Sequence, residues 1–186
     1  MAKNTLPKKT VVADTCFLAH LFNPEGVHHE TCNEIINKIK SDSENYDVVI
    51  PSIVASESSG LGLSYEVAEK LSEGGIFKAK NYTIPESYLT QEIMRILKAS
   101  GRAEYKKNRS KNDYGRKWDE FTDDIKIIEI AKTTKADYIL TIDKAFIENV
   151  KTLKDASFFE GLQVVDFSDR QSAIATLNGG QVSLFS

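Results

Sequence analysis

Strand-like and helix-like segments alternate five times along the chain, and no other sequence feature narrows its fold as much. Apolar runs at residues 10–13, 48–50, 76–84, 138–142 and 164–167 read as strands. Helical spacing fills the intervals at 15–22, 27–40, 64–73, 86–99, 123–134 and 144–154. A further helix opening at Ser52 includes Glu57 and stops near Gly60, and a last one follows Ser168. Ser52, Thr122 and Ser168 are the expected N-caps. The strand runs are too short and too apolar to alternate, the mark of strands covered on both faces. Parallel strands need long crossovers, which helices supply. The pattern predicts an α/β fold: a three-layer α/β/α sandwich around a five-stranded, mainly parallel sheet.

The 186 residues suit a single domain, with a core over about 10–167, an insertion over about 98–121, and a C-terminal helix and tail over 168–186. The apolar runs are too short to span a bilayer, so no membrane partner is expected. The polar start of the chain lacks a signal-peptide apolar stretch, and two cysteines, Cys16 and Cys32, cannot build a disulfide framework. A cytoplasmic setting is therefore expected. Both cysteines read as small buried apolar residues. His20, His28 and His29 lack a metal-ligand spacing and read as packing or surface residues.

In parallel α/β sheets, ligands sit outside the carboxyl ends of the strands, and that rule filters the acids. Asp14 and Asp143 directly follow the first and fourth strand runs, and Glu57 lies two turns into the helix after the second. Asp124 shares a helix face with Ile128 and Ala131, which would carry it to the same rim; Asp123 is its outward neighbour. Asp137 precedes the fourth strand, at the wrong end, and Asp166 lies inside the last one. Singly, each rim acid fits a turn or cap. Together they would repel one another unless a cation lay between them, and a hard divalent ion takes such oxygen ligands.

Residues 11–18, Val-Val-Ala-Asp-Thr-Cys-Phe-Leu, resemble the opening motif of the PIN-domain nucleases. Residues 50–57, 124–131 and 139–146 are similar to that family's second, third and fourth motifs, in family order. The resemblance implies strand order 3-2-1-4-5 and a Mg²⁺- or Mn²⁺-dependent endoribonuclease with Asp14, Glu57, Asp124 and Asp143 as catalytic metal ligands. Thr15 and Thr141 match its supporting hydroxyl positions. It further implies in-line attack by a metal-bound water, leaving a 5′-phosphate and a 3′-hydroxyl. Many members are VapC-like toxins of toxin–antitoxin pairs, so the implied partners are RNA, an antitoxin protein and a second copy of the chain.

The net charge of −3 hides a strip at residues 98–117 where eight basic residues face two acids, leaving −9 elsewhere. Lys106, Lys107, Arg109, Lys111 and Arg116, interleaved with Tyr105, Tyr114 and Trp118, suit phosphate contacts and base stacking on single-stranded RNA. A solvated helix–loop is the plainer reading. Two other classes compete. A haloacid-dehalogenase-like phosphatase also places an Asp after strand one, but it needs a second Asp where Cys16 stands. A PIN-like module that only binds RNA or protein would not need all four acids.

Overall fold

The computed structural model describes residues 7–73, 75–81, 87–101 and 111–179, with side chains described from residue 88 in the helix that opens at 87 and from 122 in the one that opens at 111. Its elements run β1 (Lys9–Ala13), α1 (Thr15–Phe22), α2 (His29–Ser41), β2 (Tyr46–Pro51), α3 (Ser52–Gly60), α4 (Ser64–Glu73), β3 (Phe77–Lys80), α5 (Ser87–Ala99), α6 (Lys111–Thr133), β4 (Tyr138–Thr141), α7 (Lys144–Asp155), β5 (Gln163–Asp166) and α8 (Arg170–Leu177). All strands are parallel, in the order β3-β2-β1-β4-β5. The fold is the expected three-layer α/β/α sandwich.

The central strands are buried on both faces: Val11, Val12, Ala13, Val48, Ile139, Leu140 and Val165 are sealed from solvent. Helices α1, α2 and α8 pack on one another, and α5 contacts both α6 and α7. The stripe Cys32, Ile35, Ile36 and Ile39 turns α2 inward, and Leu89, Ile93, Ile96 and Leu97 do the same for α5. Phe167 packs edge-on against Phe17 and against the rings of His20 and His28. His29 is tied down through His20 and Asn33, so the histidines are packing groups.

Several boundaries differ from expectation for identifiable reasons. Helix α6 begins at Lys111, so Thr122 lies inside it and caps nothing. Pro51 takes the N-cap of α3 and Ser52 its first helical position. Asp169, whose carboxylate accepts the Gln171 and Ser172 amides, caps α8 in place of Ser168. Strand β3 closes at Lys80 rather than running to residue 84; residues 82–86 lie outside the described ones. The described residues include no helix long and apolar enough to cross a membrane.

Candidate functional site

The strand order reverses between β1 and β4, the kind of switch point at whose carboxyl ends open α/β sheets bind ligands in a crevice. Ala13 pairs with Leu140, and the Asp14 amide donates to the Leu140 carbonyl at 3.2 Å. Asp14 and Thr141 therefore emerge side by side at the crevice floor.

Asp14 caps α1 and is held by three donors. The Thr15 amide reaches Oδ1 at 2.7 Å, while the Thr141 hydroxyl and the Cys16 thiol reach Oδ2 at 2.7 and 3.1 Å. Burial is the strongest influence on its carboxyl and pushes its pKa up. The three donors pull the other way, and the charge of Asp143 pushes with burial.

Thr141 is fully buried, and its hydroxyl also accepts the Asp143 amide at 3.1 Å. Asp143 in turn caps α7, its Oδ1 accepting the amides of Ala145 and Phe146 at 2.7 and 3.0 Å. Thr141→Val keeps the shape but deletes both hydroxyl contacts. It should cost about 2 kcal/mol or more, because a buried acid loses a donor. The melting temperature should fall by roughly 4–8 °C for a chain of this size, and Thr141→Ser should recover most of it. A calorimetric scan of both variants decides the point; an unshifted Val variant would show that the hydroxyl does not hold the crevice floor.

Helix α3 brings Glu57, half-buried, to the same rim, where the Thr15 hydroxyl donates to its Oε2. Its carboxyl is also pushed up, first by burial and then by the negative charges of Asp123 and Asp14. The negative charge of Asp123 on α6 bears on Glu57, and Asp123 Oδ1 takes the Lys126 ammonium at 2.7 Å. A hydrogen-bonded polar chain runs Asp143–Thr141–Asp14–Thr15–Glu57 across β4, β1 and α3.

Asp14, Glu57, Asp143, Thr15 and Thr141 are all members of this chain. Asp124 stands half-buried in α6 beside Asp123, whose negative charge bears on Glu57. Lys106, Lys107 and Arg109 lie outside the described residues; Lys111 and Arg116 belong to α6, with side chains outside them. Two participants escaped the sequence reading. Cys16, expected as an apolar filler, is only half-buried and donates to Asp14, and Lys126 faces an acid of the site. The spacing of Asp123 and Lys126, three residues apart on a helix, was the available signal for the second.

Of the two acids the sequence set aside, Asp137 lies away from the site, whereas Asp166 closes β5 at the same rim, paired in register with Thr141 rather than inside the strand. Asp137 accepts the Thr10 amide at 2.7 Å, pinning β1 to β4 at the opposite end of the sheet. Asp166, the last residue of β5, is engaged by Lys144 and by Ser168. Burial works against its charge, yet those partners prevail and hold its carboxyl below the usual range.

Among the described residues, no three His, Cys, Asp or Glu side chains converge closely enough to hold a metal ion as they stand. The kind of donor nevertheless fits a hard divalent cation. The acids of the polar chain are oxygen donors, and two of them have their ionised forms disfavoured first by burial and then by neighbouring charge, Asp14 by Asp143 and Glu57 by Asp123 and Asp14. In comparisons with known proteins, no family model and no curated protein matches the chain.

Proposed function

We propose that the chain is a PIN-like, metal-dependent endoribonuclease that hydrolyses RNA at the crevice between β1 and β4. The observation that carries this reading is the gathering of Asp14, Glu57 and Asp143 at the carboxyl ends of the strands, with Thr15 bridging Asp14 to Glu57 and Thr141 bridging Asp14 to the Asp143 amide. Burial first, and neighbouring negative charge after it, pushes the Asp14 and Glu57 carboxyls up, and such perturbed acids cluster at functional sites. Bound Mg²⁺ or Mn²⁺ would supply an activated water and stabilise the charge developing on the phosphate.

The chain's own residues do the holding and aiming. Asp14 is fixed by its three donors, so its carboxylate presents a set orientation to a cation. Thr15 ties Asp14 to Glu57, and Thr141 ties Asp14 to Asp143, which keeps acids from three separate elements in register. Asp143 is exposed and spends Oδ1 on capping α7, so Oδ2 is the oxygen it would offer to a ligand. The basic strip at 98–117 supplies phosphate contacts and stacking surfaces for single-stranded RNA. The role implied by the resemblance is that of a cytoplasmic toxin, restrained by an antitoxin and acting as a homodimer.

The test is cleavage of a single-stranded RNA by the purified chain in MnCl₂. Activity should vanish with EDTA and return with excess Mn²⁺. Asp124→Asn should lose activity, as the ligand role that the resemblance implies for it requires, and Asp123→Asn tests whether its neighbour, whose charge bears on Glu57, shares that role. Cleavage that persists in EDTA would sink the metal-dependent reading; a greater loss in Asp124→Asn would assign the ligand role implied by the resemblance to Asp124.

A further inference from the structure

The carboxyl end of β5 adds a cation to the rim. Asp166 pairs in register with Thr141, so it stands one strand away from the crevice floor. Both of its oxygens are engaged: Oδ2 takes the Lys144 ammonium, and Oδ1 takes the Ser168 amide and hydroxyl at 3.0 and 2.6 Å. A carboxylate held from two sides is a fixed post for the lysine. Lys144 directly follows Asp143 and opens α7. A cation in the first turn opposes the helix dipole, so helix stability does not account for its place. Its side chain is 72% exposed, and an ammonium with three hydrogens has donors to spare beyond Asp166. Along the carboxyl edge the fold therefore sets acids after β2, β1 and β4, then a tethered cation against β5.

We infer that Lys144 is a phosphate clamp for single-stranded RNA, with Asp166 as the positioning residue that holds it beside the crevice. This rests on the RNA reading of the crevice given above, and on no metal ion. RNA laid across this edge meets the negative charge of the acids, and a cation on the adjoining strand offsets that repulsion. A phosphate can join the ammonium without displacing Asp166, because the two use different hydrogens. An ammonium is a point charge, suited to the phosphate of any nucleotide, so the clamp positions RNA without reading its sequence.

A plainer role for Lys144 is a tie between α7 and β5. A tie would affect stability but not the salt dependence of RNA binding. Fluorescence anisotropy of a labelled single-stranded oligouridylate, titrated with the full chain in EDTA, separates the two. Lys144→Gln should bind roughly three- to tenfold more weakly at about 0.05 M NaCl. It should also lower the slope of log affinity against log salt by about 0.7, the share of one phosphate contact on a single strand. Lys144→Arg keeps the charge and should stay near wild type. Lys154→Gln removes the same charge from an exposed position roughly 15 Å further along α7, and should leave the slope unchanged. Thermal scans should place all three variants within a few degrees of wild type, since exposed ion pairs contribute little. A wild-type slope in Lys144→Gln, or a loss no greater than in Lys154→Gln, would overturn the clamp. Cleavage of the same RNA by the wild type in MnCl₂ would then leave the nuclease reading standing. No RNA binding by the wild type would overturn the clamp, and no cleavage in MnCl₂ beside it would overturn both.

Discussion

Asp14→Asn should abolish Mn²⁺-dependent RNA cleavage, by roughly three orders of magnitude or more, while the chain stays folded. Asp14 has two oxygens fixed by three donors, and a cation would draw on its negative charge from that fixed position. An asparagine keeps one oxygen, which can still accept the Thr15 amide. Its NH₂ must then face Thr141 and Cys16, whose hydrogens have to turn away. Thr141 has that freedom, since its oxygen already accepts the Asp143 amide. The lost bonds are offset by removing a charge that burial disfavours, so the melting temperature should move by only a few degrees. Cleavage assays beside circular dichroism provide the check. Wild-type activity in a folded Asn variant would remove Asp14 from the chemistry, and the metal-site reading with it.

Glu57→Gln should separate activity from stability in the other direction. The glutamine oxygen can accept the Thr15 hydroxyl, and its NH₂ can donate to Asp123, turning a repulsion into a hydrogen bond. Cleavage should be lost, yet the metal-free variant should be more stable at neutral pH by about 1 kcal/mol. The sign follows from proton counting. Glu57 has a raised pKa in the fold, so above its ordinary value of 4.5 the folded chain holds more protons than the unfolded chain. Its ionisation therefore costs stability as pH rises through that window, and the cost is complete above the raised value. The glutamine advantage should be full at neutral pH and shrink as pH falls toward 4.5. Denaturation of both chains in EDTA across that range measures it; a constant or inverted difference would mean that Glu57 is not strained by its neighbours.

Strands β1 and β4 were legible because their apolar runs end on an acid or a hydroxyl, and the parallel register then brings Asp14 beside Thr141 without further information. The start of α6 was legible but passed over: Tyr114, Trp118 and Phe121 keep helical spacing with Ile125, yet Gly115 and the charges between them read as an insertion. The helix pattern does not choose between Asp123 and Asp124, for the reverse reason. Ile127 and Ile130, on the Asp123 side, are as buried as Ile128 and Ala131 on the Asp124 side. A helix buried on both sides has no inward face for a pattern to reveal. Glu129, 1% exposed amid these apolar residues, survives there by taking the Thr90 hydroxyl of α5, a partner 39 residues away. The donor role of Cys16 could not be read from residue type, because it depends on the turn that aims the thiol at Asp14.

The sheet ends on one side in β3, four residues long, with Lys78, Ala79 and Lys80 exposed and only Phe77 buried. A short border strand bearing lysines is a poor template for another chain, since any added strand would have to desolvate those ammonium groups. This border discourages both fibrous aggregation and growth of a continuous sheet across two molecules. A homodimer of this chain that joined its sheets would have to do so through the opposite border, β5; one sealed by helical surfaces would respond to side-chain packing rather than to backbone pairing.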